Sequence, residues 1–336
     1  MSKFLIVGGG GFIGGHLISR LLQEKIHEIR AVDLKPLELW FQKSDKVENF
    51  SLDMQEYENC VKMTKGTDYV INLACNMGGI GFIENNKADC MLSVLINTNL
   101  LRSCRLNRIK RYFFSSSACA YNQNLQTDPA IDGLREKDAY PAMPEDGYGW
   151  EKLFSERMCR HFTEDYGLET RVARFHNIYG PLGTFDGGRE KAPAAICRKV
   201  IEAKINEAKS IDVWGDGSQT RSFLYIDDCV DAVLKLFYSD FKDPINIGSD
   251  EKVSINELIS IAEKLANKKF KRNYQLDKPQ GVRGRSSNNE LIKEKLGWEH
   301  KYSLEEGIDK TYRWIENIYV NKKNDEYIRF TKKDIR

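Results

Sequence analysis

The sequence predicts an α/β chain: a Rossmann-type, doubly wound parallel sheet followed by a smaller, mixed C-terminal lobe. Three observations lead there. A short apolar run ends in a glycine cluster and passes straight into helical spacing, apolar β runs then alternate with helical stretches to about residue 180, and beyond that point the alternation loosens. Strands alternating with helices imply a parallel sheet covered on both faces, because each parallel crossover lays a helix against the sheet.

Residues 3–7 (KFLIV) are the first strand, and the apolar positions from Phe12 to Leu22 shift toward helical spacing. Further β runs follow at residues 29–33, 69–74, 111–115 and 171–175, with a helical stretch over about 88–106. Later helices are expected over about 191–208, 227–239, 254–267 and 303–320, with short β pieces at 211–214 and 245–247. The expected organisation is a dinucleotide-binding domain over 1–180, joined by later segments from about 215–250, a substrate lobe over 181–320, and a charged tail over 321–336.

A chain of 336 residues with 41% apolar side chains can bury a sizeable core. The 51 Lys+Arg nearly balance the 49 Asp+Glu, so no global charge points to nucleic acid or an anionic membrane as partner. Eight cysteines lie at 60, 75, 90, 104, 119, 159, 197 and 229 without a CxxC or any metal-ligand spacing, so free thiols and no metal are expected. No apolar stretch suits a signal peptide or a membrane span, and the expected location is the cytoplasm.

Gly8, Gly11 and Gly14 form GxxGxxG, with Phe12 and Ile13 between them, immediately after a strand and at the start of a helix. Missing β-carbons there let the backbone approach a pyrophosphate, and the helix N-terminus supplies donors. The next strand ends at Asp33, where a carboxylate accepts hydrogen bonds from the adenosine ribose and repels a 2′-phosphate. NAD is favoured over NADP, with Lys35 close enough to soften the preference.

Tyr148 and Lys152 stand four residues apart, on one face of a helix. An ammonium beside a phenol stabilises the phenolate, so the tyrosine can take a hydroxyl proton near neutral pH. A lone YxxxK is common on solvated helices. Here Ser115-Ser116-Ser117 accompanies it at a strand end, where a hydroxyl can bind the same substrate oxygen.

Together GxxGxxG, Asp33, the NLA of residues 72–74, the serine cluster and YxxxK resemble the extended short-chain dehydrogenase/reductase family, over almost the whole chain. The resemblance implies oxidation of a sugar hydroxyl on a nucleotide sugar. It also implies that Asp53 and Met54 border the adenine, that Leu73 and Ala74 border the pyrophosphate and ribose, and that Ser117, Tyr148 and Lys152 form the catalytic set. Once a ketone exists, 4-epimerisation, dehydration or decarboxylation, and epimerisation at neighbouring carbons compete. Ala118 and Cys119 stand where sugar dehydratases of this family carry Asp-Glu, which disfavours dehydration.

Residues 77–82 (MGGIGF), 174–181 (RFHNIYGP), 187–193 (GGREKAP), 214–217 (WGDG), 219–223 (QTRSF) and 281–285 (GVRGR) resemble the members that epimerise a GDP-hexose at C3 and C5. That resemblance implies GDP-mannose or a close relative as substrate, and a cysteine and lysine flanking the sugar, here Cys119 and Lys191. A 4-ketone acidifies the protons at C3 and C5, so a base on one ring face and an acid on the other can invert each centre. Cys119 is the expected base and Lys191 the expected acid. Their reference pKa values, about 8.5 and 10.4, would need lowering or favourable pairing.

The same resemblance implies Gly78, Asn177, Glu190, Ala192 and Gln219 around the substrate. For the diphosphate, residue type favours Lys199, Arg221 and Arg283, with Arg285 an equal choice. His176 is expected to be structural or near the nicotinamide. The sequence departs from the resemblance at Cys75-Asn76, where Ala-Asp is the pattern, and at Asn122, where proline is. A related GDP-manno sugar such as a heptose, a 4-epimerase lacking the Cys119 and Lys191 chemistry, and an NAD-binding regulator without catalysis stay open. A homodimer is expected through the Tyr148 helix and the helix at 88–106.

Overall fold

The computed structural model describes residues 2–25, 27–321 and 324–331. The first half lays down β1 (Ser2–Val7), α1 (Phe12–Glu24), β2 (His27–Asp33), β3 (Glu48–Ser51), α2 (Tyr57–Thr64), β4 (Tyr69–Asn72), α3 (Ile80–Asn85), α4 (Lys87–Met91), α5 (Ser93–Leu106), β5 (Arg111–Ser117), α6 (Tyr148–Tyr166) and β6 (Glu169–Phe175). The second half adds β7 (Ile178–Tyr179), α7 (Ala192–Ile205), β8 (Ser210–Trp214), β9 (Thr220–Ser222), β10 (Leu224–Tyr225), α8 (Ile226–Tyr238), β11 (Ile245–Ile247), β12 (Lys252–Ser254), α9 (Ile255–Ala266), β13 (Lys271–Gln275), β14 (Gly284–Arg285), α10 (Glu290–Leu296), α11 (Leu304–Asn321) and α12 (Asn324–Thr331).

Seven strands form one parallel sheet in the order β11-β6-β5-β4-β1-β2-β3. Its central strands β1 and β4 are apolar on both sides, as a doubly covered sheet requires. Phe4 and Ile6 of β1 pack with Leu17 and Leu21 of α1 and Val233 of α8, while Leu5 and Val7 face Met63 of α2, Leu100 of α5 and Cys159 of α6. Strand order reverses beside β1, and the crevice outside the carboxyl ends of β1 and β4 is where such sheets bind ligands.

The helix expected over 88–106 is α4 and α5, with Leu92 as the joint. β3 was not legible in the sequence, because ENFS is short, polar at three of its four positions and has no buried residue. The charged tail expected at 321–336 lies partly outside the described residues. Within it α12 is a helix whose Phe330 is buried against Phe185 and Trp314, so that part is packed.

In the second lobe α7, α9 and α11 pack together, and their Ile196, Leu258 and Ile315 belong to the same apolar cluster as α1 and α8. The chain returns to the main sheet in α8 and β11. β9 sits between antiparallel β12 and parallel β14. The loop after β5 is stitched to the β14 region by backbone bonds: the N–H of Arg283 donates to Gln126 O (2.9 Å), that of Leu134 to Ser286 O (2.9 Å), and that of Asn288 to Leu134 O (3.1 Å). That seam carries Arg285 over the end of β5.

Candidate active site

Gly8 leaves β1 with a left-handed φ of +85°, and a β-carbon on Gly14 would stand 2.2 Å from Gly8 O. The turn therefore closes only with glycine, which leaves a bare backbone surface ahead of α1. The first-turn N–H groups of Phe12 and Ile13 have no acceptor inside the helix, and no acidic side chain occupies that turn. Such a cradle suits a pyrophosphate.

Asp33 ends β2, with Oδ1 accepting the Lys35 N–H (3.0 Å). The Lys35 ammonium folds back over the turn toward Gly10 O (3.4 Å) and the Phe41 ring (3.7 Å). Asp53 Oδ1 accepts the Gln55 N–H (2.9 Å), and Met54 is buried beside it. Leu73 and Ala74 leave β4 against the glycine turn: a β-carbon on Gly8 would lie 3.0 Å from Ala74 N. Asn72 fixes this approach by accepting the Ala74 N–H (3.1 Å) and donating to the Tyr112 hydroxyl (2.9 Å). Its holding role was not foreseen from sequence.

Tyr148 and Lys152 are buried one turn apart on α6, with the Lys152 ammonium 5.4 Å from the Tyr148 ring centre. Ser117 ends β5, and its Oγ accepts the Cys119 N–H (3.2 Å). Burial opposes the charge on Lys152, but Cys75 and Glu151, whose carboxylate is 3.4 Å away, outweigh it and hold its pKa above the ordinary value. Burial, joined by Cys75, Cys119 and Glu151, pushes the Tyr148 phenol well up. This runs against the sequence expectation that an ammonium beside the phenol brings it toward neutral pH: among the protein's own groups desolvation wins. Cys75, one of the departures noted in the sequence, has its Sγ 4.0 Å from the Tyr148 hydroxyl.

A cavity of about 350 Å³ joins these residues to the second lobe. Ser117, Cys119, Tyr148 and Lys191 all line it, as do Gly78, Asn177, Glu190, Ala192, Lys199, Gln219 and Arg221. The two glycine-rich segments meet at its edge, where the Gly79 N–H donates to Arg189 O (3.2 Å) and Arg189 Nη1 donates to Asn76 Oδ1 (2.8 Å). Lys191 is the residue that precedes α7, and burial lowers its pKa against the pull of Cys119 and Cys75. Cys119 moves the other way: burial and then Glu145 raise its pKa, while Arg285 and Ser117 oppose them. Of the expected lowering or favourable pairing, Lys191 shows the lowering, while Cys119 is raised and has its favourable pairing in Arg285.

Of the four cations named for a diphosphate, Lys199, Arg221 and Arg285 line the cavity and Arg283 does not. Arg283 is turned onto Asp216 (3.1 Å between Nη2 and Oδ2) and Ser218 Oγ (2.6 Å). Arg221, brought down to about 10 by burial and by Arg285, donates to Thr220 O and Gln280 O. Arg285 is buried, and its guanidinium meets Gln126 Oε1 (2.6 Å), Cys119 Sγ (3.3 Å) and Glu145 Oε2 (3.1 Å). Glu145 escaped the sequence reading because it lies in a Pro-rich loop outside any periodic element. His176 is buried behind the site, bonded through Nε2 to Asn246 Oδ1 (2.8 Å), and burial brings it down to about 3, so it is neutral.

A Rossmann sheet, a glycine cradle with an aspartate at the end of the next strand, and a buried Tyr-Lys pair whose tyrosine lines a cavity define an NAD-dependent enzyme of the short-chain dehydrogenase/reductase type. The chain belongs to the NAD dependent epimerase/dehydratase family, whose model matches residues 4–248. It is 47% identical to GDP-mannose 3,5-epimerase from Arabidopsis thaliana over 94% of this chain and 82% of that protein. GDP-mannose 3,5-epimerase 1 from Oryza sativa subsp. japonica is similar to the same extent, 47% over the same shares of both chains. In fold the chain is similar to UDP-glucose 4-epimerase from Thermotoga maritima, with a TM-score of 0.83 and 24% identity over 94% of this chain and 99% of that one.

Proposed function

We propose that the chain inverts C3 and C5 of GDP-mannose, or of a close GDP-manno relative, through a transient 4-ketone. The observation that carries this reading is that Cys119 and Lys191 line the same cavity as Tyr148 and Ser117. A 4-epimerase needs only the last two and Lys152.

Ser117 and Tyr148 hold the sugar O4, and Tyr148 takes its proton while the buried Lys152 ammonium stabilises the phenolate. NAD, which the Gly8–Gly14 turn and Asp33 would hold, would supply a reversible hydride acceptor for C4. Cys119 and Lys191 then move protons at C3 and C5, one removing and the other supplying on the opposite ring face. Lys191 is suited to either role because burial brings its ammonium toward the neutral amine. Tyr148 finally returns its proton to O4. Lys199 and Arg221 carry the positive charge a diphosphate requires.

In heavy water the purified enzyme should place deuterium at C3 and C5 of recovered GDP-sugar. Inversion at C4 with both carbons unlabelled would make it a 4-epimerase instead.

The finer readings have their own support. Met91, Leu92 and Leu95 on the α4–α5 face and Trp150 and Phe154 on α6 are exposed, and α5 packs on α6. A second copy of this chain, covering that apolar face, makes a homodimer. Eight cysteines held as free thiols suit a reducing cytoplasm.

A further inference from the structure

Arg285 stands between two anionic or potentially anionic groups and divides its guanidinium between them. Nη1 donates to Cys119 Sγ at 3.3 Å, Nη2 to Glu145 Oε2 at 3.1 Å, and Nε to Gln126 Oε1 at 2.6 Å. The Glu145 N–H donates to Cys119 O at 3.0 Å, so backbone and guanidinium together fix carboxylate and thiol side by side. Both side chains line the sugar cavity with Arg285, and the side chains of Arg285 and Glu145 are only 7% and 16% exposed, too dry for solvent to screen them fully.

The geometry points to Glu145 as a positioning residue of the acid–base pair: it competes with the Cys119 sulfur for Arg285, and that partition sets how much of Cys119 is thiolate. This deepens the proposed function and rests on Cys119 being one of the proton-moving groups. A carboxylate paired with Arg285 neutralises the charge that a thiolate would use and adds its own repulsion. When Arg285 turns fully to sulfur, the thiolate gains a charge-assisted partner. The other groups facing this centre act on it from every side: Ser117 donates or accepts at the end of β5, Tyr148 faces it from α6, Lys191 from before α7, and Arg221 from β9. Glu84 of α3 feels the charge of Glu145, and its pKa is raised by burial and then by Glu145, against Lys87. Glu145 is the carboxylate in this set that also touches Arg285.

Glu145→Gln keeps the shape and an oxygen acceptor for Arg285 but removes the charge. The test measures two things in this variant, in Glu145→Asp and in the parent enzyme with NAD bound. One is the pH dependence of deuterium incorporation at C3 and C5. The other is the pH dependence of iodoacetamide alkylation at the Cys119-bearing peptide, read by mass spectrometry with Cys119→Ser as blank. Both acid limbs should move to lower pH by about one unit in Glu145→Gln, a roughly ten-fold gain at the foot of the limb. Glu145→Asp should restore them toward the parent. Unmoved alkylation in Glu145→Gln overturns the competition. Loss of exchange with unmoved alkylation does so too, since Glu145 would then carry the proton itself. Exchange that survives in Cys119→Ser would sink the underlying reading of Cys119 instead, and the alkylation profile of Glu145→Gln would still decide the competition.

Discussion

At the scale of single residues, the balance of burial against nearby charge sets the chemistry. Lys152 keeps its proton because Glu151 and Cys75 compensate for the loss of water, whereas Tyr148 has no such help and is driven up. Tyr148→Phe should therefore lower kcat by about 10²–10⁴-fold, the worth of a general acid–base group, while NAD titration is unchanged. Lys191 supplies a stability test as well. Its folded pKa lies below the ordinary 10.5, so the unfolded chain binds more protons between the lowered value and 10.5, and stability rises with pH across that window. Denaturant midpoints at several alkaline pH values should show this slope weakened in Lys191→Met; an identical slope in both proteins would contradict it. Arg174 and Glu156, bonded at 2.9 and 2.7 Å and buried together, form a pair behind Ser116. Arg174→Met leaves that carboxylate without its partner and should cost about 3–5 kcal/mol in urea unfolding.

At the scale of elements, α6 does two jobs with two faces. One face holds Tyr148 and Lys152 in the core, and the other presents Trp150 and Phe154 to solvent. Phe154→Glu with Trp150→Glu should split a dimer in sedimentation while leaving the far-ultraviolet circular dichroism intact. The start of α6 is pressed on the site: a β-carbon at Gly149 would stand 2.3 Å from Cys119 O. Gly149→Ala must displace the Cys119 loop, and loss of epimerisation with NAD binding retained is the expected result. The strands and helices that sequence alone made visible are those with a strong period or a continuous apolar run, such as β1, α1 and α8. β3 was not visible because it is short, mostly polar and without a buried residue, and the 120–147 loop was not because its position depends on partners far along the chain. The same holds within the site. Gly8, Asp33, Tyr148 and Lys152 announce themselves by spacing. The contacts of Glu145 and Arg285 do not, because 140 residues separate them in sequence and only the seam between the β5 loop and β14 brings them together.

At the scale of the whole molecule, one apolar cluster runs from α1 and α8 through α7, α9 and α11. Two lobes with a shared core should melt as one, and calorimetry should record a single transition with equal calorimetric and van't Hoff enthalpies. NAD at a hundred-fold excess over its Kd should add about 2.7 kcal/mol to that one transition. A low-temperature transition insensitive to NAD would mean that the second lobe unfolds alone.

The seam between the β5 loop and residues 283–288 also orders events in time. A chain emerging from the ribosome completes its glycine turn, Asp33, Tyr148 and Lys152 long before Arg285 is made. The residues of the cofactor cradle and the oxidising group are then all present, while the guanidinium partner of the thiol is not. The late strand is thus the last part of the site to be synthesised.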